Sequence, residues 1–381
     1  MKFGIIHELS VSKPWHPLSE HEVYHNALAQ VELADELGFD QSWAVEHHFL
    51  EEYSHCSAPE VFLAAAAMRT KRIRLGHGIV VSLPPFNHPV RCAERAAALD
   101  IISNGRLEFG TGRSATWTEL GGFRCDPDLT KEMWDEALHA IPKMWTQDTF
   151  SWEGRFFSMP ERPVLPKPVQ KPHPPLWVAV SSPETAIQAG ERGIGCLGVS
   201  IGTPQEYKQR VEDYRRVIKT CEPVGEFVNE QVNGVTFMYV DETDEEAQTW
   251  GTKLAYSFSH LAAHLVGISS VYPTPAYKTP GLLFSVRQAA GQEKAPGGGG
   301  VIREGMAIGS PQTVIKNLKM WQEIGVDRMV LIINTGEVIP QERVLRSMHL
   351  FAEQVLPAFD KEASITLVTS PATELVEPAM P

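Results

Sequence analysis

The chain has 381 residues, enough for one large domain or two ordinary ones, and its 43% hydrophobic and 21% charged residues are the balance of a soluble globular protein. A formal charge of −13 argues against nucleic acid or an anionic membrane as the main partner, although a local pocket can still hold a small anion. No stretch approaches the roughly 18 apolar residues of a membrane span. Five cysteines lie far apart without a C-x-x-C pair, which points to reduced thiols in a cytoplasmic protein.

The opening "KFGIIHEL" predicts a strand and has neither the apolar core nor the cleavage site of a secretory leader. "SEHEVYHNALAQVELADELG" predicts a helix, with Ser19 and Glu22 as a capping box and Gly38 as its stop. "FDQSWAVE" is the next strand, followed by helix "APEVFLAAAAMRT", strand "IRLGHGIVV", helix "HPVRCAERAAALDIIS", strand "RLEFGTG" and a helix near 130–146. After the Pro-rich "PERPVLPKPVQKPHPP" the alternation resumes: "LWVAV", "SPETAIQAGERG", "GCLGVS", "TPQEYKQRVEDYRRVIK", "VNGVTFMYV" and "DEEAQTWGTKLAYSFSHLAAHL". An irregular, Gly-rich segment at 267–309, containing "EKAPGGGG", has the composition of a mobile lid. "PQTVIKNLKMWQEIG", "VDRMVLIIN" and "IPQERVLRSMHLFAEQVLPAF" then give helix, strand, helix, and 361–381 reads as a tail without periodicity.

Strands that are apolar on both faces belong to parallel sheets, and eight strand–helix units in a row predict a closed (β/α)8 barrel over residues 1–360. An open doubly wound sheet is the alternative, but the first turn, "GIIHELSVSKPW", lacks the expected G-x-G-x-x-G. In such barrels the chemistry lies at the carboxyl ends of the strands. Four polar clusters fall there: Glu46-His47-His48, His77 with Gly78, "GTGRS" at 110–114 and "SSPET" at 181–185.

Ser182 before Pro183 predicts a helix N-cap, and the free amides behind it, with the Ser182 and Thr185 hydroxyls and Arg113 from the preceding strand end, make an anion clamp. Each element alone has a plainer reading: a cap, and a surface ion pair. For His47 and His48 a metal, an acid–base role or a loop-holding role all stay open. A metal is disfavoured, because adjacent side chains on an extended segment diverge and neither H-E-x-x-H nor C-x-x-C accompanies them. Gly76 and Gly78 mark either a close approach to a flat ligand or a bulge.

"FDQSWAVEHHF", "TKRIRLGHGIVV", "NHPVRCAERAAALDIISNGRLEFGTGR" and "VAVSSPETAIQAG" together resemble the bacterial luciferase-like flavin-dependent monooxygenases, over roughly residues 1–260 and 305–360. The resemblance implies a (β/α)8 barrel binding FMN at its strand ends. It places His47 beside the flavin's reactive edge, Arg113 on the FMN phosphate, and Ser181, Ser182 and Thr185 in the rest of the phosphate site. Gly78 and Ile79 fall where luciferases carry a cis peptide against the ring. Gly112 replaces a reactive cysteine and would open space beside the ring, Ser181 replaces an acidic residue, and "SLPPFNHP" is two residues longer than its counterpart. The implied activity uses reduced FMN from a separate reductase, and O2, to oxygenate a small organic substrate such as an aldehyde or ketone. A cytoplasmic homodimer without metal, nucleic acid or membrane is implied with it. The rival readings are a deazaflavin-dependent hydride transferase and a non-catalytic flavin-binding subunit.

Overall fold

The computed structural model describes residues 1–114, 116–198, 202–262 and 302–359. Its strands are β1 (Lys2–His7), β2 (Gln41–Ala44), β3 (Arg74–His77), β4 (Val80–Val81), β5 (Leu107–Gly112), β6 (Phe150–Glu153), β7 (Ser158–Arg162), β8 (Leu176–Val180), β9 (Gly195–Gly198), β10 (Val232–Val240), β11 (Ala307–Gly309) and β12 (Arg328–Ile332). Eight of them run parallel in the order β1-β2-β3-β5-β8-β9-β10-β12, and β12 pairs back onto β1 (Lys2 opposite Arg328, Ile6 opposite Ile332), so the sheet closes on itself. This is the (β/α)8 barrel that the apolar strands predict.

The helices are α1 (Ser19–Leu37), α2 (Pro59–Arg69), α3 (Pro89–Ile102), α4 (Trp117–Gly122), α5 (Thr130–Thr146), α6 (Pro183–Glu191), α7 (Pro204–Val217), α8 (Asp244–Leu261), α9 (Pro311–Glu323) and α10 (Gln341–Gln354). Among the described residues no helix is long and apolar enough to cross a membrane.

The barrel interior is plugged by aromatic side chains. Trp43 on β2 and Trp177 on β8 are fully buried and meet edge to face, with centroids 5.6 Å apart, although two strands separate them in the ring. They therefore touch across the barrel axis. Gly76 makes room for this: a Cβ there would lie 2.1 Å from the Trp43 ring. Polar groups in the plug are paired in part: Asn233 Nδ2 donates to Gln41 Oε1 (3.0 Å) and Trp177 Nε1 to Glu108 (2.6 Å), which also pairs with Arg74, while Gln41 Nε2 and Asn233 Oδ1 have no hydrogen-bond partner.

Three local expectations change. Ser19 and Glu22 do not form a capping box: the Ser19 hydroxyl accepts from the His16 amide (2.9 Å), Glu22 pairs with the His16 ring (3.3 Å), and Leu18 takes the cap position. An antiparallel hairpin, β6–β7, precedes the Pro-rich insertion and runs into its first residues, and α4 precedes the helix at 130–146. The end of the 267–309 segment is ordered, since β11 pairs with β10 (Met238 opposite Ala307). The rest of that segment, up to 301, and the tail at 361–381 lie outside the described residues.

Candidate active site

The ends of β1 and β2 bring three ionisable groups together. His47 follows β2, and its Nδ1 lies 3.1 Å from Glu119 Oε1. Glu119 arrives on α4, where Thr116 caps the helix by accepting from the Glu119 amide (3.1 Å). In a reciprocal box that glutamate would reach back to the Thr116 amide. Here it turns inward instead and also accepts from the His48 amide (3.0 Å), Ser114 (2.7 Å) and Thr116 (2.9 Å). On the other side of the imidazole, Nε2 stands 3.8 Å from Glu8 Oε2, at the end of β1, and the Tyr53 ring packs edge-on at 5.2 Å.

These contacts set the charges. Burial disfavours an ionised Glu119, but the His47 charge and the hydrogen bonds from His47, Ser114 and the His48 amide hold its carboxyl below the usual range. Burial likewise disfavours the His47 cation, and Glu119 first, then Glu8 and Glu46, outweigh it and raise the imidazole to about 9. Glu8 goes the other way: burial pushes it up to about 7, opposed by His47 and Tyr53. The imidazole thus favours its protonated form at neutral pH, and 24% of its side chain is exposed.

His48 diverges from His47, as an extended segment requires. Its Nε2 lies 3.2 Å from Glu46 Oε1, and Glu46 also accepts from the Val81 amide (2.8 Å) and Asn87 (2.7 Å). The two imidazoles serve different carboxylates, and the described residues contain no cluster able to hold a metal ion. His48, Phe86 and Phe123 form an aromatic wall with the partly exposed Phe49. His77 is not at the mouth. It is 2% exposed, packs on Phe109 and senses Glu60 and Arg95, from α2 and α3, so it faces the helix layer.

Arg113 and the 181–185 turn sit at neighbouring strand ends, because β5 pairs with β8 up to Thr111 opposite Val178. Arg113 donates to Thr130 Oγ1 at 3.1 Å. Ser182 is the N-cap of α6, accepts from the Thr185 amide (3.3 Å) and lies 3.1 Å from the Thr185 hydroxyl. This helix terminus already stabilises an anion: the Glu184 carboxyl is held low by its own backbone amide and by Ser182, with Lys131 and Arg210 contributing charge.

Gly78, Ile79 and Gly112 are contiguous, with β4 pairing Val81 to Gly112. The Gly78–Ile79 bond is trans, since the cis bonds among the described residues are Lys13–Pro14, Leu165–Pro166 and Lys171–Pro172. In that geometry the Gly78 amide donates to Ala44 O at 2.7 Å, and Val80 pairs at once with Thr111. The space opened by Gly112 is taken by the Ile79 side chain, which would lie 3.0 Å from an added Cβ.

Glu8 and Glu119 are the site residues that sequence reading overlooks. The signal for Glu8 is an acid directly after an apolar strand of a barrel. Glu119 is disguised as a helix-start residue by the T-x-x-E spacing.

Comparison with known proteins shows the family and the fold. The family model for luciferase-like monooxygenases matches residues 1–328. The oxygenase component of flavin-dependent trigonelline monooxygenase from Acinetobacter baylyi is 27% identical over 90% of this chain and 92% of its own. The crystal structure of the monooxygenase RslO1 from Streptomyces bottropensis superposes with a TM-score of 0.77, at 30% identity over 94% of this chain and all of the other. The oxygenating constituent of 3,6-diketocamphane monooxygenase from Pseudomonas putida, solved with FMN, shares the fold at TM-score 0.74, with 19% identity over 94% of this chain and 98% of its own. Coenzyme F420-dependent tetrahydromethanopterin reductase from Methanopyrus kandleri shares it at 0.64, with 22% identity over 94% and 99%. With the family model spanning most of its length, this chain belongs to the luciferase-like monooxygenases, a family of oxidoreductases built on the (β/α)8 barrel.

Proposed function

We propose that the chain is the oxygenase half of a two-component system, taking reduced FMN from a separate reductase and using O2 to oxygenate a small organic substrate, an aldehyde or ketone in the first instance. The observation that carries this reading is the adjacency of Arg113 to the capped N-terminus of α6 at neighbouring strand ends, with the His47 imidazole at the same face of the barrel. A moored cation and two hydroxyls at a helix N-terminus suit a phosphate dianion, which would take the place the Glu184 carboxylate now holds on its own amide. The relative named as an oxygenase component supports the separate reductase.

Reduced FMN, when bound, supplies the electrons that activate O2. The protein's tasks are then to bind, orient and manage protons. In this reading Arg113, Ser181, Ser182 and Thr185 hold the phosphate, while the Gly78–Ile79 segment, packed against Gly112, forms a floor for the ring. His47, kept protonated by Glu119, presents Nε2–H to an oxygen atom that develops negative charge. Association of two copies belongs to the same proposal and is supported by the exposed Val61 and Met68 on α2. A cytoplasmic location is supported by five unpaired cysteines.

Equilibrium titration with reduced FMN and with a reduced deazaflavin, followed by turnover on a panel of carbonyl compounds with O2 and a reductase, tests the reading. Tight FMN binding with product formation is expected. Preference for the deazaflavin would move the chain to hydride transfer, and FMN binding without turnover would make it a supporting subunit.

A further inference from the structure

The acids around His47 do more than orient a ring. Glu119 receives four donors: the His47 ring and the His48 amide on Oε1, and the Ser114 and Thr116 hydroxyls on Oε2. Only a carboxylate, which is acceptor-only, satisfies them all. Nδ1 of His47 therefore carries a hydrogen pinned to Glu119, and Nε2 is the nitrogen left to exchange a proton.

Nε2 points at a second acid. Glu8 is 8% exposed, and its Oε2 is buried without a hydrogen-bond partner, 3.8 Å from Nε2. That distance is too long for a hydrogen bond and short enough to close with a small side-chain movement. The titratable groups facing Glu8 are His47, Tyr53, Glu119 and Cys56; those facing His47 are Glu119, Glu8 and Glu46. His47 is the single cation in this group, and Glu119 already neutralises it. A second carboxylate here would have only the Tyr53 hydroxyl and a share of the His47 charge against the cost of burial, with Oε2 left bare, so burial favours the neutral acid at Glu8.

We propose that Glu8 is the proton store of this site, a positioning residue that acts through His47 by returning a proton to Nε2 after the imidazolium has protonated a ligand oxygen. The balance is one proton at each step. Nε2 gives its proton to the ligand oxygen, the Glu8 carboxyl gives its proton to Nε2, and the Glu8 carboxylate is reprotonated from water. No electron moves. The proposal rests on the reading that His47 faces the flavin, but the store itself is tested on the ligand-free chain.

Infrared pH titration of the ligand-free protein reads the carbonyl stretch of a protonated carboxylic acid. The expected result is a band that titrates near neutral pH, vanishes in Glu8→Gln, survives in Glu46→Gln and returns at a shifted pH in Glu8→Asp. NMR of nitrogen-labelled histidine should show His47 Nδ1 still protonated in Glu8→Gln, which a collapsed site would not retain. In the loaded enzyme, Glu8→Gln should keep FMN affinity and lose about ten-fold in coupled product yield, most at high pH, with partial rescue in Glu8→Asp. A carboxylic acid band unchanged in Glu8→Gln, or a coupled pH profile identical to the parent's, overturns the proposal. If the band behaves as expected but His47→Ala leaves coupled turnover intact, the proton store stands as a chemical fact and the role through His47 falls with the flavin-facing reading.

Discussion

Arg113 donates to the hydroxyl of Thr130 at 3.1 Å, and that hydroxyl donates in turn to the Pro127 carbonyl at 3.0 Å, so the guanidinium after β5 is moored to the start of α5. A flexible cation becomes a placed one. If it serves a phosphate, Arg113→Ala should weaken FMN binding by ~1.5–3 kcal/mol, roughly 10- to 100-fold. Thr130→Val should cost less and in the same direction. Titration with riboflavin, which lacks the phosphate, is the control, and an equal loss for both ligands would assign Arg113 to the fold.

Glu184 competes for the same helix terminus. Replacing it by Gln removes a negative charge next to the Ser182–Thr185 turn and should tighten FMN binding by a few-fold, about 0.3–1 kcal/mol. Ser182→Ala removes the N-cap and should lower stability by ~1 kcal/mol as well as weakening FMN. Binding isotherms and denaturant midpoints on the same samples separate the two effects.

His47→Ala leaves Arg113 and the 181–185 turn untouched. Its expected phenotype is retained FMN affinity with O2 consumption uncoupled from product, hydrogen peroxide leaking in its place. Oxygen uptake, peroxide and product measured together decide this, and coupled turnover at the parent's level would remove His47 from the mechanism.

His77 makes a different kind of prediction. Burial drives its imidazole down to about 4, and neither ring nitrogen has a hydrogen-bond partner. Between about 6.5, the ordinary value, and 4 the unfolded chain binds a proton that the native chain refuses, so stability falls as pH falls through that window and is unaffected above it. His7, lowered to about 4 by burial against the pull of Gln30, adds to the same slope. Replacing His77 by Leu should flatten the decline between pH 7 and pH 5 in denaturant midpoints. An unchanged slope would mean that the ring is not held neutral.

Gly76→Ala should destabilise by about 1–3 kcal/mol or more, because its Cβ would overlap the Trp43 ring at 2.1 Å. Chemical denaturation checks it. A neutral outcome would mean that the indole can swing away from Trp177.

The barrel was legible because a closed parallel sheet demands strands buried on both faces, and runs such as "LWVAV" and "VNGVTFMYV" leave little choice. The helix start at 182–183 was legible for a local reason: Ser-Pro starts a helix from its own chemistry. Glu8 and Glu119 were not, because their meaning lies in groups 39 and 72 positions from His47 in the chain, a pairing that only the closed barrel creates. Ser19 failed for a similar reason at short range, its hydroxyl being claimed by the His16 amide. The β6–β7 hairpin escaped because its alternation is mostly exposed and sits among prolines.

The two crossed indoles beneath the mouth have an optical consequence. An oxidised flavin ring seated on that face would accept excitation energy from them, so their emission should dim as sites fill. Intrinsic emission would then gauge occupancy, with Trp43→Phe and Trp177→Phe separating these two indoles from the rest of the chain's nine tryptophans.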